Sequence, residues 1–204
     1  MGKKKIIIST ILIFIIAMGL YLFLVGNNKR AVRDMVDLYI KAAQDRKFEI
    51  VYNYNAASQK QKLFILKGSD VNKADLFKKT YDEQKVLFDS VQLIFDPNII
   101  WGEKSAFIPD MNYKIGMIAM ERNIDNPTAF YRKRIDAVVE VEVEYTKKDT
   151  APVFQDESVK KATYLIKMIH SRNITKAVKI MPVGDKWLFK GIVVKEGAVE
   201  HWPR

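Results

Sequence analysis

Glu140, Glu142 and Glu144 stand at alternate positions in RIDAVVEVEVEY, a spacing that lines three carboxylates along one face of a strand. Their carboxylates then lie about 7 Å apart, so chelating one cation would need ligands from elsewhere. A solvated sheet face, paired across strands with lysines such as Lys167, Lys179 or Lys190, accounts for them without a metal. Ser158-Val159-Lys160-Lys161 fits Ser-x-x-Lys and Ser171-Arg172-Asn173 fits Ser-x-Asn, the order in which serine acyl-transfer enzymes carry them. The two motifs are thirteen residues apart, too close to flank a cleft, and Lys195-Glu196-Gly197 departs centrally from the Lys-Thr-Gly that completes the set. The match is one of chance. There is no Gly-x-Gly-x-x-Gly, Walker sequence or EF-hand loop. Asn173-Ile174-Thr175 fits a glycosylation sequon, which matters only in a eukaryotic secretory setting.

The 204 residues contain no cysteine, which excludes disulfides, thiolate metal centres and catalytic thiols. Two histidines, His170 and His201, are too few for a three-histidine catalytic metal site. No cofactor or metal is expected. With 49% hydrophobic and 28% charged residues the composition is that of a globular domain. The net charge of +10 divides evenly: residues 1–30 hold Lys3, Lys4, Lys5, Lys29 and Arg30 without an acid, and the other half of the excess is spread over the rest. Flanks of a hydrophobic segment explain the first half, so a nucleic-acid partner is not supported. Arg132, Lys133 and Arg134, next to Phe130 and Tyr131, are the best candidates for contact with an anionic lipid, wall polymer or acidic partner.

From Ile6 to Val25 the chain runs for twenty residues without a charge, enough helix to span about 30 Å of hydrocarbon. Cleavage after Ala17-Met18-Gly19 would leave the apolar run Leu20–Val25 exposed, which favours an uncleaved signal anchor over a signal peptide. Expected are a cytoplasmic tail at 1–5, a transmembrane anchor at 6–25, a short linker at 26–30 and an extracytoplasmic domain at 31–204. The short basic tail sets that orientation.

Elements that would position any site follow from periodicity. Residues 31–47 place Val32, Met35, Val36, Tyr39, Ile40 and Ala43 at helical spacing, and no Pro or Gly interrupts before Lys67, so a second helix follows with Phe48, Val51 and Tyr52 inward. Ser69-Asp70 offers an N-cap to a third helix over about 72–91, with a stripe of Leu76, Phe77, Tyr81, Val86, Leu87 and Val91. Beyond Asp96-Pro97 the period changes to two. Strands are predicted at Tyr113–Met120, around Val139–Tyr145, at Ala162–Arg172, at Ile174–Val183 and, after a Gly184-Asp185 turn, at Trp187–Lys195. Trp101, Trp187 and Trp202 read as core and lid packing. Helices first and strands later, without alternation, mean α+β with two to three helices on one face of a mostly antiparallel sheet.

The helical opening AVRDMVDLYIKAAQDRKFEIVYNY, the KADLFKKTYDEQKVLF helix and the late RIDAVVEVEVEY, KKATYLIKMI and GDKWLFKGIVV strands make the chain resemble the cone-fold, nuclear-transport-factor-2-like superfamily. It is similar there to the small N-terminal domain of some penicillin-binding transpeptidases and to periplasmic domains of bitopic type IV secretion assembly subunits. The resemblance covers roughly residues 31–195, and 97–135 departs from it. It implies a curved sheet closed into a cone by the helices. In its enzymatic members, such as ketosteroid isomerases, polyketide cyclases and small dehydratases, a carboxylate or imidazole base inside the cone faces an oxyanion donor. Carried onto this chain, the resemblance gives His170 and Asp136 with Tyr39, Tyr52, Tyr145 or Tyr164 as candidates. The expected function is a non-enzymatic, membrane-anchored scaffold domain of the cell envelope that docks a protein partner or a second copy. The alternative is a small-molecule binder or isomerase- or cyclase-like protein using the cavity.

Overall fold

The computed structural model describes residues 13–16, 28–68, 72–90, 94–123, 134–170 and 186–203. Several expectations fall outside them: most of the 6–25 span, residues 26–27 of its linker, the Ser69-Asp70 cap, the Ile174–Val183 strand with its following turn, Arg132, Lys133 and the Ser171-Arg172-Asn173 motif. Residues 28–30, expected as linker, are instead helical and continue into the 31–44 helix. Of the predicted span, residues 13–16 are helical, and among the described residues no helix is long and apolar enough to cross a membrane.

The architecture is α+β. Helices α1 (28–44), α2 (Phe48–Tyr54), α3 (Ala56–Lys67), α4 (Lys73–Ser90) and the single turn α5 (Glu103–Ala106) precede strands β1 (Met111–Asn123), β2 (Arg134–Tyr145), β3 (Val153–Phe154), β4 (Glu157–His170) and β5 (Trp187–His201). All pairings between these strands are antiparallel. β2 and β4 are central, β1 lies outside β2, β5 pairs with β4, and β3 forms a short hairpin with the start of β4.

Local chemistry sets the breaks. Helix α1 ends two residues before Arg46, which adopts a left-handed φ of 54°; the Lys47 N–H bonds to Ala42 O and the Arg46 N–H to Ala43 O, closing a Schellman turn. The uninterrupted second helix expected up to Lys67 is instead cut at Asn55. That residue takes an extended backbone and caps α3, its Oδ1 accepting from the N–H groups of Ala57 and Ser58. The β3–β4 hairpin turns through Gln155 and Asp156, both at positive φ.

Alternation divides the sheet. Ala137, Val139, Val141, Val143 and Tyr145 of β2 and Ala162, Tyr164, Ile166 and Met168 of β4 face the helices and form the core with Val32, Val36, Tyr39, Val51, Tyr52 and Trp101. Glu142 and Glu144 are exposed on the opposite face, as a solvated row requires. Glu140 there pairs with Lys195 (2.8 Å) and Asp136 with Lys190 (3.6 Å). Asn55 forms a bridge to Phe189, and a small second cluster joins Ala56 and Leu63 of α3 to Ile169 and Leu188. Because Leu188 and Phe189 point oppositely, α3 packs at the β5 edge on the outer side.

Helix α4 ends within a residue of expectation but buries a different face. Thr80 and Phe88 are buried, whereas Val86 and Leu87 are 68% and 52% exposed. The face turned inward is Phe77, Thr80, Tyr81, Gln84 and Phe88, because Gln84 Oε1 accepts the Trp101 indole N–H at 3.0 Å.

The segment 94–106 reaches the core through Gly102, where the chain doubles back on itself. A Cβ at this position would stand 1.9 Å from Asp96 O. Gly102→Ala is therefore expected to destabilise the fold by about 1–3 kcal/mol, with a lower midpoint in urea followed by tryptophan fluorescence. An unchanged midpoint would show that the turn relaxes freely.

Candidate functional site

The sequence offered aromatic hydroxyls, and the structure adds a carboxyl that was not among the candidates. Glu103, the first residue of α5, is buried to 2% exposure. Its Oε1 accepts a 2.6 Å hydrogen bond from the Tyr39 hydroxyl of α1. The same hydroxyl oxygen accepts from Asn55 Nδ2 at 3.3 Å. Tyr39 is clamped from the other side by Phe189 of β5, the rings parallel with centroids 4.3 Å apart. Loss of water raises the Glu103 pKa to about 8, against which the Tyr39 bond works as the larger opposing effect. Burial and the neighbouring carboxyl push the Tyr39 hydroxyl well above its ordinary range. At neutral pH the pair is thus a carboxylic acid next to a neutral phenol.

A second polar node lies at the other end of α5. Tyr145 Oη donates to Ala106 O at 2.9 Å and shares a 2.6 Å bond with Tyr164 Oη. Desolvation raises both phenols, Tyr164 to about 12. Lys104 points the opposite way from Glu103: its ammonium donates to Phe88 O at the end of α4 and lies over the Phe88 ring, and burial holds its pKa below the usual lysine range. One helical turn is thereby fastened to α1, α4 and β2.

The predicted candidates are not brought together as one site. Tyr39 joins Glu103, and Tyr145 joins Tyr164, but Tyr52 instead packs edge-on against Tyr81 with centroids 5.0 Å apart and lies under the Lys62 ammonium. Asp136 falls on the outer sheet face, opposite Ile169 and beside Lys190, because it occupies the strand phase of Glu140 rather than that of Val139. A base at Asp136 facing the phenols across a cavity is therefore corrected by the strand's own period. His170 does lie on the core face, at the end of β4, where its ring stands perpendicular to Trp187 at 5.1 Å. Of the basic trio, Arg134 begins β2 and its two predecessors lie outside the described residues. Among the described residues no cluster of acids and histidines could hold a metal ion.

A carboxylic acid paired with tyrosine is the donor set that stabilises oxyanions in apolar sites. Here its surroundings are filled. Tyr39, Tyr52, Tyr145, Tyr164, Trp101, Phe88, Phe107 and Met168 are all under 2% exposed. Three surface recesses, of about 550, 460 and 220 Å³, are not lined by Glu103, Tyr39, Tyr145 or Tyr164. The arrangement binds elements to one another. The signal that sequence reasoning passed over is a lone Glu-Lys pair inside the otherwise apolar and small stretch Trp101–Ile108.

Comparison with protein-family models, curated proteins and solved structures finds no match to this chain.

The raised acid has a signed consequence. In the unfolded chain Glu103 ionises near 4.5, while in the fold it keeps its proton up to about 8. Folding therefore takes up a proton between those values, and stability from this group is complete below pH 4.5 and lost as pH rises to 8, by about 1.4 kcal/mol per unit. Glu103→Gln keeps an acceptor for Tyr39 and cannot ionise. Its stability relative to wild type is expected to increase between pH 5 and pH 8 in urea titrations; a pH-independent difference would refute the assignment.

Proposed function

We propose that the chain is a non-enzymatic, membrane-anchored interaction domain of the cell envelope, with residues 1–5 cytoplasmic, 6–25 spanning the bilayer and the α+β domain outside. The uncharged run from Ile6 to Val25 supports the anchor. An antiparallel sheet that packs one face on α1 and α2 and carries register shifts along β1, β4 and β5 is compatible with the curved, cone-like sheet of the nuclear-transport-factor-2-like superfamily.

The observation that carries the reading is the filled interior. Where enzymes of cone fold keep a substrate pocket, this domain stacks Tyr39 on Phe189 and hydrogen-bonds the Tyr145 hydroxyl to that of Tyr164. Recognition is then left to the surface. Leu87, Ile94, Ile99 and Ile100 are about half exposed or more and border the 460 Å³ recess beside Trp101, which supplies apolar area for a protein partner.

Mild crosslinking in native membranes followed by purification of tagged full-length protein is expected to yield a stoichiometric envelope protein. Leu87→Glu with Ile100→Glu should abolish its recovery, while His170→Ala should leave it intact. Recovery of the chain alone, or loss of function in a folded His170→Ala variant, would overturn the proposal.

A further inference from the structure

A recess of about 550 Å³ lies where the first described turn of α1 meets the middle of β1, and is lined by Lys29, Arg30, Arg33, Asp34, Gly116, Met117 and Ile118. Three cations face one carboxylate. Lys29, Arg30 and Arg33 are exposed, and among the described residues none of them makes an ion pair.

Two features make this a built concavity rather than a charged helix end. First, α1 is fixed along β1, running in the opposite direction. Tyr113 Oη donates to Asp37 Oδ1 at 2.6 Å, and Gln44 Nε2 donates to Ile108 O and Met111 O. Second, β1 carries one extra residue between Ile115 and Ile118 relative to β2, and this bulge turns out Met117, which is 63% exposed. An exposed thioether thus sits beside the guanidinium groups, apolar next to cationic.

The position of the recess in the chain points to its occupant. Four Cα steps separate Val25 from Lys29, at most about 14 Å. The head-group layer occupies about 5–8 Å beyond the hydrocarbon, so Lys29 stands no further than about one Debye length from the lipid phosphates. We propose that this recess holds the phosphodiester head group of an anionic phospholipid in the leaflet facing the domain, the arginine forks binding phosphate oxygens and Met117 entering the interface. The site rests on reading residues 6–25 as the membrane anchor, and it would fix the domain's orientation against the bilayer.

The test uses the full chain. Because the sequence has no cysteine, Met117→Cys carries a unique environment-sensitive fluorophore. Acrylamide quenching is compared in nanodiscs of phosphatidylcholine alone and of phosphatidylcholine with about one third phosphatidylglycerol. Quenching is expected to fall about threefold in the anionic discs, and to recover when salt is raised to about 0.5 M. It should also recover in the Lys29→Gln, Arg30→Gln, Arg33→Gln variant. Equal quenching in both discs overturns the lipid site, and so does protection by inorganic phosphate in phosphatidylcholine discs, which would make the recess a free-anion site. Alkaline carbonate washing of native membranes separates the premises: release of the chain overturns anchor and lipid site together, whereas retention with equal quenching overturns the lipid site alone.

Discussion

The Tyr39 hydroxyl is the point through which the helical layer is held together. It donates to Glu103 and accepts from Asn55, while its ring stacks on Phe189. Each of those partners has a second task. Asn55 ends α2, caps α3 and bridges to β5; Glu103 begins the turn α5; Phe189 belongs to the sheet. A single phenol therefore relates α1, the α2–α3 corner, α5 and β5. Buried polar groups are costly unless satisfied, so a node of this kind admits few alternative arrangements of the elements that supply it.

The same economy explains why, among the described residues, the space around α5 is filled by side chains. α5 enters the space between helices and sheet and is fixed on several sides, by Tyr39, by Tyr145 and through Lys104 to the end of α4. Trp101, immediately before it, contacts Phe48 and Phe88 edge-on. Glu103, raised by desolvation, accepts from Tyr39 and seats this one short turn.

Much of the sheet was legible from local pattern. The Val139–Tyr145 alternation gave the buried and exposed faces of β2 correctly, because a strand's two faces differ at every step. Helix α4 was legible in extent but not in orientation, since its Val86 and Leu87 are apolar and exposed while Thr80 is buried. β5 runs past the expected Lys195 to His201 because Gly197, at φ +69°, absorbs an irregularity before Val199 rejoins Ala162. The candidate site was legible in part: Tyr39, Tyr145 and Tyr164 are buried hydroxyls, but their pairing is not written locally. The partner of Tyr39 lies 64 residues away, in a stretch without clear periodicity, and the break at Asn55 answers to a strand near the other end of the chain.

The way α1 is attached has a mechanical side. Strands β1, β2, β4 and β5 are joined by backbone hydrogen-bond ladders, whereas α1 meets β1 through side chains, the Asp37–Tyr113 bond and the Gln44 amide among them. A pull on the chain at residue 28 loads α1 lengthwise against β1, in shear across apolar contacts and those few polar tethers. The sheet is a stiff plate under such a load and the helix a sliding clasp. Tension arriving from the N-terminal side would be absorbed first at the helix–strand seam, leaving the strand ladders in register.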